Sequence, residues 1–136
     1  VVLLHGPPGA GKSTVAAGRP AGFELCDLDA YAGTPREFLD RLTALGRDPD
    51  AHAVVIRVGI DPGSRRRVRH QVLATHVYRV DPGRDVVEAR VEARDGAISP
   101  LQWQGIDDWY RAGAGADVPA WPGVWPALDT VPSRSW

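Results

Sequence analysis

Val1-Val2-Leu3-Leu4-His5-Gly6-Pro7-Pro8-Gly9-Ala10-Gly11-Lys12-Ser13-Thr14 opens the chain, and its reading decides the fold. An apolar run passes into a glycine-rich turn that closes on Gly11-Lys12-Ser13. Positions 6–13 fit G-x-x-x-x-G-K-[ST], a phosphate-cradling loop set between a buried strand and a helix. The glycines let the backbone curl so that successive N–H groups face phosphate oxygens. Lys12 is the single lysine among sixteen Lys and Arg residues, and it supplies a mobile point charge for the β- and γ-phosphates. The Ser13 hydroxyl suits Mg²⁺, and the helix that starts here adds the positive end of its dipole. By average residue usage a chance match in so short a chain is of order one in a few hundred. A mere glycine-rich turn is therefore the weaker reading. The run predicts binding of ATP with Mg²⁺ through Gly6, Pro7, Pro8, Gly9, Ala10, Gly11, Lys12, Ser13 and Thr14.

Downstream, strand-like and helix-like segments alternate. Lys12–Ala17 reads as a brief helix stopped by Gly18-Arg19-Pro20, and Phe23–Asp27 as a second strand ending in Asp27-Leu28-Asp29. Thr34-Pro35-Arg36-Glu37 combines a capping residue, proline at the first helical position and glutamate three residues after the cap. Phe38, Leu39, Leu42 and Leu45 give the following helix one apolar face, and Gly46 closes it. Ala53–Ile60 is nearly all apolar, as expected of a parallel strand covered on both faces. Asp61-Pro62-Gly63 leads into a basic helix, Ser64–Ala74. His76–Val80 is a fourth strand, and Asp81-Pro82-Gly83 precedes a helix running to about Arg94. Ser99-Pro100 starts a last helix carrying Leu101, Trp103, Ile106, Trp109 and Tyr110. Residues 1–111 thus form one α/β domain with a mainly parallel sheet. From Ala112 to Trp136 the chain turns rich in Gly, Ala and Pro, an irregular tail whose Trp121, Trp125 and Trp136 are expected to dock on the domain. A ligand belongs beyond the carboxyl ends of the strands, where the P-loop, Asp27, Asp29, Arg57–Asp61 and Asp81 converge.

Composition bounds the function. The 136 residues suffice for one core but not two, and a net charge of −1 excludes a generally basic nucleic-acid binder while leaving room for a local patch. The one cysteine, Cys26, falls in a strand and reads as a buried thiol. No apolar run approaches a membrane span and no secretory leader is visible, which predicts a cytoplasmic protein without a membrane partner. The chain lacks methionine and opens directly on a strand, so we expect that an initiator residue has been removed.

With its P-loop, the Asp-x-Asp at Asp27 and Asp29, and arginines on the helix after the fourth strand, the chain resembles P-loop kinases of the nucleotide and polynucleotide kinase type. Within them it looks closest to small phage- or actinobacterium-encoded proteins labelled AAA-family ATPase. The resemblance spans roughly Val1 to Tyr110. It implies a three-layer P-loop NTPase sandwich with sheet order 2-3-1-4, often with a fifth strand, for which no segment stands out here. It also implies transfer of the ATP γ-phosphate to a hydroxyl or phosphate of a second substrate. In the resembling kinases an acidic residue after the second strand contacts the acceptor and can act as general base, a role that falls on Asp29 in preference to Asp27. Two turn-forming aspartates are the alternative. Arg90 and Arg94, i and i+4 on one helix face with no carboxylate three or four residues before them, match the family's phosphate-clamping arginines, with a solvated face as the alternative. Asp61 takes the Walker B metal position by analogy, although the strand before it carries Arg57, no Glu follows, and a helix cap explains Asp61-Pro62 more simply. Asp95-Gly96-Ala97 leaves no insertion large enough for a lid.

Ser64-Arg65-Arg66-Arg67-Val68-Arg69-His70 could meet a polynucleotide backbone, but no aromatic residues are interleaved to stack bases, so a solvated helix face is favoured. Two function classes remain at this point. One is a small ATP-dependent phosphotransferase whose catalytic residues are Lys12, Asp29, Arg90 and Arg94, acting on a nucleotide, a nucleic-acid end or a small hydroxyl compound. The other is a non-transferring ATP-binding or ATPase module of a larger assembly, which the short first helix, the absent lid and the unclear Walker B position favour.

Overall fold

The computed structural model describes residues 1–128. Four parallel strands, β1 (Val2–His5), β2 (Glu24–Asp27), β3 (Ala53–Ile56) and β4 (His76–Arg79), form a sheet in the order β2-β3-β1-β4. Five helices follow or connect them: α1 (Lys12–Ala17), α2 (Pro35–Arg47), α3 (Pro62–Val72), α4 (Arg84–Asp95) and α5 (Pro100–Arg111). β1 lies at the centre, with Leu3 opposite Val55 on one side and Val77 on the other. All four strands therefore end on one edge, where β1 delivers the P-loop.

Successive strand residues point to opposite faces, and this alternation builds two cores. Val2, Leu4, Val54 and Ile56 pack with Ala16 of α1, Val87 and Val91 of α4 and Ile106 of α5. Leu3, Val55 and Cys26 pack with Phe38, Leu42 and Leu45 of α2 and Val68 and Val72 of α3. The result is the three-layer P-loop NTPase sandwich. Cys26 is fully buried, and that burial pushes its thiol up to about 12, so it packs as a small apolar residue.

Local chemistry explains where the elements start. Thr34 accepts from the Glu37 amide at 3.1 Å, and Ser99 with Gln102 completes a reciprocal capping box. The ends differ from expectation. α2 runs through Gly46 to Arg47, because Gly46 is where α2 crosses α3: a Cβ there would collide with the Gln71 carbonyl. β3 stops at Ile56, although Arg57 still donates to the Leu4 carbonyl at 3.1 Å and Val58 accepts from the Gly6 amide at 3.3 Å; the chain then turns over His5 at Gly59 (φ 61°), which has no room for a side chain beside that imidazole. Leu39 (43% exposed) and Leu101 (83% exposed) stand outside the apolar faces assigned to them, whereas Ile106 and Trp109 are fully buried.

Residues 112–128 contain no helix, yet they are fastened to the domain. Arg79 of β4 donates to the Pro119 carbonyl at 2.8 Å and accepts from the Trp121 amide at 2.8 Å, a single parallel bridge at the free edge of β4. Here the sheet gains the rudiment of a fifth strand. Trp121 meets Tyr78 and Trp125 edge-on, and the Trp125 indole donates to the Val15 carbonyl at 3.2 Å. Trp136 lies outside the described residues. Among the described residues no helix is long and apolar enough to cross a membrane.

Candidate active site at the P-loop

The P-loop takes its shape from residues that only glycine can replace. Gly11 has φ 96°, and a Cβ on Gly6 would collide with the Val80 carbonyl just after β4. α1, which follows the loop, is only six residues long. Lys12 folds back and donates to the carbonyls of Gly6 and, at 3.2 Å, Pro7. Burial pushes its ammonium down to about 8, against the opposing pull of Asp27 and Asp29.

Around the loop lies a cavity of about 640 Å³. Residues 8–15 form its floor, Asp27 and Asp29 one wall, Arg90 and Arg94 another, and Asp81, Ala120 and Trp121 a third. A second cavity of about 680 Å³ adjoins it and shares Lys12, Asp27, Asp29 and Ile56. Its far side is formed by Arg57–Asp61 and by Ser64, Arg67 and Gln71 of α3.

Asp27 and Asp29 do not alternate along an extended strand. The strand ends at Asp27, whose Oδ1 accepts from the Asp29 amide at 3.2 Å and starts a 3₁₀ turn over Leu28–Ala30. That turn still brings both carboxylates to both cavities. Asp27 is engaged as a turn cap, while the Asp29 carboxylate takes no hydrogen bond among the described residues and remains available to a ligand.

Arg90 and Arg94 of α4 differ. Arg90 donates to the Ala10 carbonyl at 3.0 Å, bracing the P-loop from outside. Arg94 pairs with its neighbour Asp95 at 2.9 Å, which corrects the expectation that it has no local partner. The search three and four residues back missed a carboxylate one residue ahead. Asp61 caps α3: its Oδ1 accepts from the Ser64 amide at 2.8 Å and its Oδ2 from the Ser64 hydroxyl at 3.2 Å. It lines the second cavity and not the P-loop cavity. Hard oxygen donors for Mg²⁺ are Ser13, Asp27 and Asp29, all on the P-loop cavity.

Several residues of the site carried no sequence signal. His5 is fully buried directly before the P-loop, and its Nδ1 lies 2.9 Å from the Arg57 carbonyl. A carbonyl only accepts, so Nδ1 carries the proton and the unpartnered Nε2 is bare. Burial, aided by Arg65 and Lys12, lowers this imidazole to about 4 and keeps it neutral. Arg65, read from sequence as part of a solvated basic face, is 3% exposed. It donates to both Asp117 oxygens and to the Gly59 carbonyl and stacks over Trp109, locking the segment after α5 against the loop that covers His5. Asp81 was read as a second helix start like Asp61. It instead accepts from Trp109 Nε1 at 3.0 Å and from the Tyr110 hydroxyl, tying β4 to α5, while Gly83 holds the N-cap position of α4.

Sheet order and a glycine-rich loop after the central strand are those of a P-loop NTPase sandwich. No protein-family model and no curated protein matches the chain. Three solved structures share its fold. A gluconokinase from Sinorhizobium meliloti 1021 superposes with a TM-score of 0.59 at 17% identity, over 88% of this chain and 79% of that one. A sugar kinase from Janibacter sp. HTCC2649 gives 0.54 at 18% identity, covering 77% and 76%. The YorR protein from Bacillus subtilis, in complex with phosphorylated GDP, gives 0.54 at 14% identity, covering 88% and 82%. At these identities the likeness is one of fold. It is a likeness to small sugar and nucleotide kinases and not specifically to AAA-family ATPases, which corrects that part of the resemblance drawn from sequence.

Proposed function

We propose that this chain is a small ATP-dependent phosphotransferase. The observation that carries the reading is the pair of adjoining cavities sharing Lys12, Asp27 and Asp29. One has the P-loop for a triphosphate, and the other offers space for an acceptor next to the same lysine. A module that only bound nucleotide has no use for the second space. The fold shared with a gluconokinase, a sugar kinase and a protein bound to phosphorylated GDP supports the same class.

In this reading Gly6–Thr14 hold the phosphates of ATP, and Ser13, with Asp27 and Asp29 on the same cavity, would hold Mg²⁺. When bound, the ion neutralises charge on the β- and γ-phosphates. Asp29 orients an acceptor hydroxyl and accepts its proton as the acceptor oxygen bonds to the γ-phosphorus. The bond from that phosphorus to the bridging oxygen breaks, and ADP leaves with the electron pair. Lys12 and Arg90 balance the charge on the moving phosphoryl group, and Arg94 joins them where a ligand competes with Asp95. The acceptor classes are a sugar-like hydroxyl compound or a nucleotide, as the names of the similar structures suggest, or a nucleic-acid end, as the sequence resemblance implies. A screen with γ-labelled ATP against sugars, nucleosides, nucleotides, oligonucleotide 5′ ends and hydroxylated antibiotics tests it, and label on an organic product is the expected result.

A further inference from the structure

Gly105 occupies the middle of α5, where glycine is less favourable than alanine because it gives up more backbone freedom on folding. A close approach accounts for it. A Cβ on Gly105 would lie 3.0 Å from Cγ and 3.5 Å from Cδ of Pro8, a P-loop residue that also lines the P-loop cavity. α4 backs the next turn of the loop in the same way: a Cβ on Gly9 would lie 2.5 Å from Val91 Cγ2. α5 has nowhere to retreat. Ile106 beside Gly105 and Trp109 one turn later are fully buried. Trp109 donates to Asp81 at 3.0 Å, the Tyr110 hydroxyl donates to the same carboxylate, and Asp107 pairs with Arg84 of α4. Pro8, by contrast, borders open cavity. A side chain at position 105 therefore displaces the loop and not the helix.

Resting on the reading of Gly6–Thr14 as a phosphate-binding loop, we propose that Gly105 is a positioning residue of the nucleotide site: the bare backbone of α5 seats Pro8 and so fixes the N–H groups that follow it. The Gly6 N–H is taken by the Val58 carbonyl at 3.3 Å, and Pro7 and Pro8 have none. The first loop N–H left for a phosphate is that of Gly9, bonded directly to Pro8, and any shift of the proline ring reaches it first. Gly105 touches no phosphate itself and acts only through Pro8.

A double-mutant cycle tests this, with MgATP titrated calorimetrically into wild-type, Gly105→Ala, Pro8→Ala and Pro8→Ala/Gly105→Ala proteins. Gly105→Ala is expected to weaken MgATP binding about 10-fold, because small misplacements of binding groups are costly. In the Pro8→Ala background the ring that the new methyl meets is gone, so the same substitution should change affinity by less than about two-fold. There it should also raise Tm, since the helix-propensity gain of alanine is no longer opposed by a collision. Gln104→Ala, an exposed change on the adjacent residue, should leave MgATP affinity at the wild-type value. Unchanged affinity in Gly105→Ala protein, or an equal loss with Pro8 and with Ala at position 8, overturns the proposal and leaves the P-loop reading standing. Wild-type protein that binds no MgATP overturns the P-loop reading and this proposal with it. Circular dichroism and melting curves accompany each titration: Gly105→Ala chains that fail to fold with either residue at position 8 would make Gly105 a packing residue of α5 alone, which also overturns it.

Discussion

Arg90 reaches from α4 to the P-loop and donates to the Ala10 carbonyl at 3.0 Å, while Arg94, one turn later, is held by Asp95. The two were read from sequence as an equal pair, and their surroundings make them unequal. Arg90→Ala removes both a cation at the cavity and a brace on the loop, and is expected to lower kcat by about 10²-fold or more, by analogy with arginine fingers. Arg94→Ala breaks an exposed pair of small intrinsic worth, roughly 0–1 kcal/mol, and is expected to cost less than about 10-fold. Arg90→Lys keeps the charge and loses the planar fork, so it separates electrostatics from geometry. Full activity in Arg90→Ala protein would reduce α4 to scaffold.

Asp29 and Asp27 should also separate. The free carboxylate of Asp29 faces both cavities, so Asp29→Asn is expected to lower turnover while ATP affinity stays within a few-fold. Asp27 caps the 3₁₀ turn that positions Asp29, so Asp27→Ala should loosen the turn and reduce turnover indirectly, with a small loss of thermal stability of about 1 kcal/mol. Steady-state kinetics beside nucleotide titrations decide this. Wild-type turnover in Asp29→Asn protein would return both residues to the status of turn formers.

Lys12 has a pH signature. Burial holds its ammonium at about 8, below the ordinary 10.5. Between those values the unfolded chain binds the extra proton, so native stability without nucleotide rises with pH across that window through this group. Lys12→Met removes the cost of the buried charge. The variant is expected to melt higher than wild type below pH 8, by a margin that shrinks as pH approaches 10.5, and to lose stabilisation by ATP·Mg²⁺. Melting curves of both proteins from pH 7 to 10, with and without nucleotide, give the comparison. A pH-independent difference contradicts the burial argument.

The segment after α5 should matter for stability. Asp117→Ala strips the 3%-exposed Arg65 of its carboxylate, leaving the Gly59 carbonyl and the Trp109 face. Asp117 itself is 40% exposed, which moderates the effect to about 2 kcal/mol, or roughly 6–10 °C in Tm. Hydrogen bonding to Arg65 holds the Asp117 carboxyl below its ordinary 3.8, so this stabilisation is complete above that pH and fades only as pH falls through the lower native value. Thermal melts at pH 7 and pH 3 check both the size and the sign.

How much of this was legible in the chain depended on the range of the interactions. The P-loop, the strand–helix alternation and the caps at Thr34 and Ser99 are local patterns, and they appear where the residues place them. Sheet order came only from resemblance, because periodicity along one strand says nothing of its neighbours. Gly46 was misread because a glycine that lets two helices touch looks, in one dimension, like a glycine that ends a helix. Arg65, Asp81 and His5 were invisible for the same reason: their partners Asp117, Trp109 and Arg57 lie 28 to 52 residues away. Asp61 is the reverse case. Its capping bonds are local, so the helix start at Asp61-Pro62 was readable from the sequence.

The most direct measurement of the central claim is the fate of the γ-phosphate of labelled ATP, incubated with Mg²⁺, wild-type protein and an acceptor mixture, with Lys12→Ala protein in parallel. Transfer to an organic acceptor by the wild type, with loss of that label in the Lys12→Ala reaction, is the expected result. Nucleotide binding with no labelled product, or label only as inorganic phosphate at a rate indifferent to every acceptor, would contradict it and identify the chain as a nucleotide-binding or ATPase module.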